Sequence, residues 1–571
     1  MLPIIVFFFI ALLLGQLYLS RKAGNAPAQP PAQQPPAATA PVQAPAASTT
    51  PAATPTVPVR KAEGESAIVV ENAVFRVTFT NRGAVAQSWV LKNYNDEKGH
   101  PLELVNQAAA ERYGYPLSLW NWDPALRDRL NSALYVAEGP VPGAQGQRIL
   151  SFDYAEGDLV VKKTFTFDDS YVVKVKTSVQ RGSQYLTALP AWPSGFGDAI
   201  LPPSYATQRM DYEAGGDIKS LKPDHKGADI SGGRVTQRNM QWAGSSDQYF
   251  AAIWLPEDPQ RAAMAELRNP LEVPKDPAKP QGDKTPLDVL GTAVGTLNAP
   301  SSVSLFVGPK AQEILQAVHS ASGGDLHGIL DFGMFSIIAR PLFVWAHWTQ
   351  AHYVPNWGWT IIVLTVVINV VLLPLRVMGM RSALKMQKVQ PQIKAIQEKL
   401  KQYKLTDPRR GPAQQEANQQ IQALYKEHRV NPAGGCLPMI IQMPFLFAFW
   451  SMLNNAFELR QAQWFWLHDL SQPDHYMVLP ILIIVSMLVL QRMTPTAGMD
   501  PQQQRMMNIM MPLVFGFMSW SLASGLGLYW ITGTLVMLVQ QWVMNRTALG
   551  QEMRAIAEKR ARKQTGKGKQ R

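Results

Sequence analysis

The sequence predicts a multi-domain membrane protein with an N-terminal anchor helix, a large β-sandwich and a five-helix transmembrane core that carries a helical hairpin. Three observations predict this fold class. Uncharged runs long enough to cross a bilayer lie at the two ends of the 571-residue chain. Short runs that alternate apolar and polar residues fill the middle. The excess of positive charge follows the C-terminal apolar runs.

The first apolar run, residues 2–19, is compatible with an uncleaved anchor or a signal peptide. Cleavage after Ala26 would leave a proline at the first mature position, which is a poor site, so we expect an anchor over 1–22. The next stretch, 23–60, contains ten prolines among Ala, Gln and Thr. A segment of this composition cannot bury enough apolar surface to form a packed core. This composition predicts an extended tether.

Residues 61–320 have the pattern of an antiparallel β-domain. Side chains alternate in Val74–Phe79 and in Lys163–Phe167, and similar runs bounded by Gly, Pro, Asn and Asp continue to Val307. About 240 residues of this kind are most simply a β-sandwich. A short helix is expected over Lys310–Val318.

The next region, 321–355, contains a Trp-rich amphipathic segment from Phe335 to His352. Such a segment is suited to lie in a membrane interface.

Residues 356–545 contain the predicted core. The longest uncharged run has forty residues, from Met506 to Asn545. At about 1.5 Å per residue it is twice the thickness of the hydrocarbon core, so it must form two spans, with the turn at Ser524–Gly527. The five expected spans are about 356–376, 435–457, 476–492, 506–524 and 526–545.

A helical hairpin, 391–430, is expected between the first two of these spans. Pro391 suits a first helical turn, and a breaker that runs from Asp407–Pro408 to Gly411–Pro412 separates two apolar stripes. The stripes are more simply packed on each other than on a partner. They comprise Ile393, Ile396 and Leu400 on one helix and Ala417, Ile421 and Leu424 on the other.

The net charge of +12 is localised. Arg376–Arg429 contains twelve basic and four acidic residues, and the tail 546–571 contains nine and two. Under the positive-inside rule both stretches are cytoplasmic, which places both termini inside and the β-domain outside. Arg21 and Lys22 after the first apolar run argue for the opposite orientation, but the larger clusters outweigh them. Binding to anionic lipid or nucleic acid is a further use of these charges.

Motifs for catalysis and for metal binding are nearly absent. The single cysteine, Cys436, excludes an intramolecular disulfide. Ser382 and Lys385 match an S-x-x-K pattern, but without its companion motifs. His468-Asp469 and His475 are more simply solvated loop residues than metal ligands. We therefore expect no catalytic residue, no metal and no cofactor.

The informative residues are polar groups at membrane depth. Thr365 and Asn369 lie four residues apart on one helix face, Arg376 follows on that face, and Gln442 lies within the next span. An unpartnered amide in hydrocarbon costs several kcal/mol, so these groups should face protein or a wet cavity. From the residues alone, two interpretations are equally good: a functional site, or a helix–helix hydrogen bond without function. Arg376 is also compatible with simple snorkelling.

Four segments of the sequence resemble the YidC/Oxa/Alb family of membrane protein insertases, and the whole chain resembles its long Gram-negative members. The segments are LFVGPK at 305–310, NPAGGCLPMIIQMP at 431–444, FELRQA at 457–462 and SGLGLYW at 524–530. The resemblance implies a periplasmic β-sandwich of the galactose-mutarotase-like type. It also implies a core with a hydrophilic groove open to the cytoplasm and to lipid.

The resemblance implies roles for individual residues. The family carries a groove arginine five residues before a proline, and counting back from Pro374 gives Asn369, so this chain departs from the pattern. Thr365 matches a groove position, and Arg376 is a partial substitute for the missing charge. The groove or the apolar substrate path is further implied for Gln442, Met443, Leu446, Val514, Met518 and Trp530.

The resemblance implies an ATP-independent insertase and chaperone of the bacterial inner membrane, acting alone or beside the Sec translocon. Its implied partners are nascent inner-membrane proteins, the ribosome through the basic tail and loops, and anionic lipids, but not DNA. A membrane-anchored carbohydrate-active enzyme is an alternative, because mutarotase-like sandwiches bind sugars. A small-solute transporter is a second alternative, disfavoured by the absence of intramembrane charge pathways and internal repeats.

Overall fold

The structure is a computed structural model that describes residues 58–96, 99–195, 208–221, 234–274, 279, 281–403, 407–428, 430, 437–494 and 501–556. The predicted anchor (1–22), nearly all of the tether (23–60) and the last part of the basic tail lie outside the described residues.

The described chain is β-rich up to Pro309 and helical after it. The strands are β1 Ala67–Glu71, β2 Phe75–Thr80, β3 Val85–Asn95, β4 Pro101–Glu103, β5 Ser118–Trp120, β6 Val136–Pro142, β7 Arg148–Glu156, β8 Leu159–Phe167, β9 Val172–Arg181, β10 Gln184–Tyr185, β11 Leu189–Trp192, β12 Arg209–Ala214, β13 Asp217–Leu221, β14 Arg234–Arg238, β15 Met240–Ser246, β16 Phe250–Pro256, β17 Ala262–Pro274, β18 Lys284–Thr296 and β19 Ser301–Pro309. Two short helices, α1 Gln107–Tyr113 and α2 Pro124–Ser132, lie among them.

The strands form three antiparallel sheets. A ten-stranded sheet has the order β13-β12-β15-β16-β19-β9-β8-β7-β6, with β10 paired to β9. A four-stranded sheet has the order β1-β2-β3-β4, and a five-stranded sheet has the order β14-β17-β18-β11-β5. The non-sequential neighbours β16-β19-β9 join the two ends of the β-region in one sheet, so it folds as a unit.

Aromatic side chains hold the sheets together. Phe75 of the four-stranded sheet lies 6.2 Å from Phe167 of the ten-stranded sheet, between ring centroids. The Trp254 indole of the ten-stranded sheet donates a hydrogen bond to Thr292 of the five-stranded sheet. The large sheet is therefore covered by both smaller ones, as a sandwich requires. Large rings bury the most apolar area per residue, which suits them to this position.

The alternation predicted in β8 is confirmed, and it places a lysine in the core. Lys163 is fully buried on the same face as Phe165 and Phe167. Its ammonium donates to the carbonyls of Gly83, Ala84 and Leu117 at 2.7, 3.1 and 2.9 Å. All three acceptors belong to residues with positive φ. Burial lowers the pKa of Lys163 to about 7. The lysine stabilises two irregular turns at once, one at Gly83 and Ala84 and one at Leu117.

The helical region follows a short helix, α3 Gln312–Ala317, which confirms the helix expected over Lys310–Val318. The remaining helices are α4 Ser336–His352, α5 Trp357–Val371, α6 Leu373–Lys401, α7 Arg410–Glu427, α8 Leu437–Asn455, α9 Val478–Met493, α10 Pro501–Ser519 and α11 Ser524–Arg546.

The predicted start of a helix at Pro391 is wrong. Pro391 lies inside α6, which runs without a break from Leu373 to Lys401. The chain instead bends at Leu372, where α5 and α6 meet at 49°. The reason is that Pro374 occupies the first turn of α6, where the missing N–H costs nothing. The hairpin itself packs as expected, with Val389 and Ile393 against Ile421 and Leu424.

The predicted turn at Ser524–Gly527 is also wrong. Helix α10 ends at Ser519, and Ser524–Gly527 forms the first turn of α11. The two glycines there serve close packing rather than chain reversal. A Cβ at Gly525 would lie 3.1 Å from the Leu470 carbonyl oxygen, and one at Gly527 would lie 3.1 Å from Leu479.

Among the described residues, α11 is long and apolar enough to cross a membrane, and the bent pair α5–α6 qualifies as a second candidate. Helix α9 and the segment Ile509–Ser519 are apolar but shorter. The six spans expected from the sequence, including the anchor, stay a prediction.

The β-region packs on the loop that follows α8. The Phe457 ring packs edge-on against Tyr94 and Phe250, with centroids 5.1 and 5.5 Å apart. Arg460 donates to the Asn95 carbonyl at 2.9 Å, and its guanidinium lies over the Phe250 ring. The Glu458 carboxylate lies 3.2 Å from His347 Nε2 on α4. One loop of the helical region thus contacts both the sandwich and the amphipathic helix.

Candidate functional site

The predicted site residues on α5 face α11. Thr365 is fully buried and Asn369 is 3% exposed. Thr365 donates to the Ile361 carbonyl at 2.6 Å, and the Asn369 amide donates to the Thr365 carbonyl at 2.8 Å. A Cβ built at Gly533 of α11 would lie 3.8 Å from both side chains. Two polar groups are therefore buried where two apolar helices meet.

Arg376 joins this pair through a residue of α11. Its guanidinium donates to the Gln540 side-chain oxygen at 2.6 Å. The Gln540 amide nitrogen in turn donates to the Asn369 backbone carbonyl at 3.1 Å. Arg376 is half-buried and lies in the first turn of α6, just after the bend. The structure thus brings Thr365, Asn369 and Arg376 together, although the helix between them is broken.

Gln442 lies on a different helix but reaches the same partner helix. Its amide donates to the Tyr529 hydroxyl at 3.4 Å, and the Tyr529 ring stacks on Phe449 of α8. The neighbouring Trp530 lies 4.9 Å from Phe515 of α10, between ring centroids. Helix α11 therefore contacts both the polar cluster on α5 and Gln442 on α8.

The apolar residues implied for the substrate path occupy two settings. Met443 and Leu446 on α8 are half-buried, and Leu446 packs against the main core. Val514 and Met518 on α10 are 53% and 46% exposed. They belong to an outward apolar face with Ile509, Leu513 and Phe517. In a bilayer such a face borders lipid, so these two residues do not join the polar cluster.

Sequence reasoning missed two residues of the site, Gln540 and Tyr529. Gln540 is an amide within an uncharged run of forty residues, which is the signal that singled out Gln442. That signal could have found it. Tyr529 carried no such signal, because a tyrosine in a span is compatible with an interfacial anchor. Its burial to 5% and its hydrogen bond come from helix packing.

The residues considered as metal ligands take structural roles. Asp469 accepts hydrogen bonds from the Ser471 backbone and hydroxyl, each at 2.7 Å, which closes a turn. The His475 ring packs edge-on against Tyr476. Within the described ranges, no group of three or more His, Cys, Asp or Glu side chains could hold a metal ion.

Helix α6 presents a basic face ahead of Pro391. Arg381, Lys385 and Lys388 are exposed on α6, at spacings of four and three residues that place them on one side. Lys388 forms an ion pair with Glu552 at 2.6 Å, in the helical residues that follow α11. Met553 is buried beside it. The start of the basic tail is thereby held against the first hairpin helix.

Comparisons with known proteins cover nearly the whole described chain. A model of the YidC periplasmic domain matches residues 67–345, and a model of the 60Kd inner membrane protein matches residues 348–551. The membrane protein insertase YidC of Ralstonia nicotianae is 31% identical over 516 residues, which cover 88% of this chain and 87% of that protein.

Two solved structures are also similar. A crystal structure of an active YidC insertase with its first transmembrane domain resolved is 19% identical, with a TM-score of 0.34, and the match covers 86% of this chain and 96% of that one. A galactose mutarotase-like protein from Lactobacillus casei is 11% identical, with a TM-score of 0.27, and the match covers 43% and 100%. At these scores the galactose-mutarotase-like type of the sandwich stays a prediction.

Proposed function

Because the chain belongs to the YidC family of membrane protein insertases, we propose that it inserts inner-membrane proteins into the bilayer and assists their folding through a hydrophilic groove. It acts alone or together with the Sec translocon and hydrolyses no nucleotide. The proposal includes no catalytic residue and no cofactor, in keeping with relatives that are named insertases.

The observation that carries the proposal is the polar cluster between α5 and α11. Thr365, Asn369 and Gln540 place hydroxyl and amide groups between helices whose other side chains are mostly apolar, and Arg376 adds a charge. A charged side chain at the centre of a bilayer costs about 2.5–3.5 kcal/mol on insertion scales, and more without water or partners. The cluster therefore supports a hydrated groove on the cytoplasmic side of the membrane.

The energetics of insertion follow from such a groove. A hydrophilic tail that enters it keeps hydrogen-bonding partners for part of the way, so only the remaining hydrocarbon layer has to be crossed. The apolar helix that follows the tail partitions into lipid at roughly 0.8 kcal/mol per CH₂ group. The outward apolar face of α10, which includes Val514 and Met518, offers that helix a surface on which to pass from groove to lipid.

We further propose that both termini are cytoplasmic and that the β-region is periplasmic. This orientation puts the exposed basic face of α6 in the cytoplasm. Arg381 and Lys385 can there meet the phosphates of ribosomal RNA or anionic lipids. Helix α4 then lies at the outer interface. Its exposed side carries Ile337 and Trp348, which suits contact with lipid.

Reconstitution tests the proposal directly. The full chain in lipid vesicles should insert a short phage-coat-like membrane protein in the absence of nucleotide, as measured by protease protection of the translocated tail. Vesicles without the protein are the control. Depletion of the protein from cells should leave the same substrate uninserted. Normal insertion after complete depletion would contradict the proposed function.

A further inference from the structure

A short hairpin in the loop that follows α8 carries three adjacent aromatic residues, Trp464, Phe465 and Trp466. The backbones of Trp464 and Leu467 exchange two hydrogen bonds of 2.8 Å, so Phe465 and Trp466 form a two-residue tip. Phe465 has a φ of 48°, a conformation that bulky residues rarely adopt and that favours glycine or asparagine at such a tip. Its ring is nevertheless 73% exposed. Burial within the protein therefore does not explain a phenylalanine at this position.

The hairpin is fastened to the first turn of α5. The Asn356 side chain caps α5 by accepting a hydrogen bond from the Trp359 amide at 3.3 Å, and it donates to the Gln463 carbonyl at 2.9 Å. A Cβ built at Gly358 would lie 2.4 Å from the Trp464 ring, so the indole lies directly on the helix backbone. The position of the tip is therefore tied to the position of α5.

Exposed aromatic side chains surround this attachment. The Phe465 ring lies 6.0 Å from the Trp359 ring, between centroids, and Trp359 is itself exposed. Tyr353, three residues before the helix cap, is 68% exposed. No Asp, Glu, Lys or Arg occurs from Gln461 to His468. Aromatic side chains are enriched where the hydrocarbon of a bilayer meets the headgroups, so this surface has the composition of a membrane boundary.

Lipid suits the tip better than a protein partner does. The bent pair α5–α6 is apolar and long enough to cross a membrane, and the hairpin lies beside the first residues of that pair. A protein interface has a polar rim around its apolar core, and the tip has no charged residue with which to build one. Contact with the acyl chains of a bilayer requires no such rim.

We propose that the tip residues Phe465 and Trp466 insert into the outer leaflet of the membrane, bind lipid there and set the depth of α5. This inference rests on the orientation proposed above, in which the start of α5 faces the outside. At about 1.5 Å per residue, Asn369 lies roughly 15 Å along the helix from Trp359, which is half the thickness of the hydrocarbon core. The lipid contact thus holds the polar cluster near the centre of the bilayer.

The depth of the tip is measured with a fluorescent label at position 465. Cys436 is the single cysteine, so Cys436→Ser combined with Phe465→Cys gives one labelling site in the full-length protein. In vesicles of phosphatidylethanolamine and phosphatidylglycerol, we expect quenching by a nitroxide on the upper acyl chain and loss of quenching by iodide in the water. Gln461→Cys is the matched control, because Gln461 donates to the Asn95 carbonyl of the β-region at 3.1 Å. A label there should be quenched by iodide, which shows that the label does not carry itself into lipid.

A second measurement tests whether the tip sets the depth of α5. A label at Val370, which is exposed on α5, reports the depth of the helix. Phe465→Asp puts a charge at the tip, so the tip should leave the acyl chains and the label should move toward the outer surface by about 3 Å, two residues of helix rise. His468→Asp is the control, because it adds the same charge beside Asp469, where the loop already carries one. It should leave the depth unchanged.

The contrary outcomes are distinguishable. Quenching of the label at 465 by iodide alone would overturn the inference, because the tip would lie in water. Protection from both quenchers would also overturn it, because a protein such as a second copy of the chain would then cover the tip. An unchanged depth of the label at 370 in Phe465→Asp would refute the role of the tip in placing α5.

The orientation is tested separately. In spheroplasts, Gln461→Cys should react with an impermeant thiol reagent added from outside. Reaction only after the membrane is broken would overturn the proposed orientation, while the quenching in vesicles would still decide whether the tip binds lipid. These measurements contain no substrate, so failure of the insertase function would leave their results unaffected.

Discussion

Replacing Asn369 by leucine tests whether the buried amide keeps the groove wet. Asn369 is 3% exposed, and its side chain donates one hydrogen bond, to the Thr365 carbonyl. Leucine has a similar branched shape, so the change removes polarity with little change of volume. The bond from Gln540 goes to the Asn369 backbone and is available in the variant as well. The substitution therefore isolates the side-chain amide.

The expected magnitude follows from the groups that lose partners. The Thr365 carbonyl loses one of its two donors and keeps the backbone bond within α5, and the loss of one hydrogen bond costs about 0.5–1.5 kcal/mol. When that cost falls on the hydrated state of the groove, the insertion rate should decrease roughly 2- to 13-fold. An arginine at the same position can be hydrated from the cytoplasmic side, so Asn369→Arg should retain activity.

The assay is insertion of a substrate with an acidic N-terminal tail, measured with the reconstituted full-length variants at equal protein levels. Val370→Leu is the control, because Val370 is 55% exposed and lies outside the polar cluster. It should insert the substrate at the rate of the unmodified protein. Full activity of Asn369→Leu would refute the reasoning and reduce Asn369 to a helix-packing residue.

Three further predictions concern the β-region and its contacts. Deletion of residues 67–300 should leave insertion largely intact, because every groove residue follows the β-region in the chain. Complete loss of insertion by a stably expressed product would show that insertion depends on the β-region. Phe457→Ala should weaken the docking of the β-region on the helical region by about 3–5 kcal/mol. The measurement is increased protease cleavage between these two regions. Phe465→Ala, at a ring that is 73% exposed, should not increase the cleavage. Because burial lowers the pKa of Lys163 from 10.5 to about 7, the unfolded chain binds more protons between these values, so stability against urea should rise with pH across that window. Lys163→Met should abolish the rise, and Lys162→Met, at a side chain 60% exposed, should preserve it; the same rise in Lys163→Met would exclude Lys163 as its source.

The sequence by itself determined the two-part character of the chain. Strand alternation is local, with a period of two residues, so the β-rich region and the inner face of β8 could be predicted from it. The polar residues of α5 could be found in the same way, because an amide is conspicuous in an apolar run. The family resemblance was also local, carried by four short segments, and the comparisons confirm it.

Only the tertiary structure decided how these parts meet. A proline is compatible both with the first turn of a helix and with a position inside a longer helix, so the sequence does not reveal that α6 continues through Pro391. The same holds for Gly525 and Gly527, which were predicted as a turn and instead allow close packing in α11. Gln540 is 164 residues from Arg376, so their hydrogen bond exists only because two helices distant in sequence pack side by side. A contact between distant segments leaves no repeating pattern in the sequence, unlike a strand or a helix. In this protein such a contact positions Arg376, the charged residue of the polar cluster.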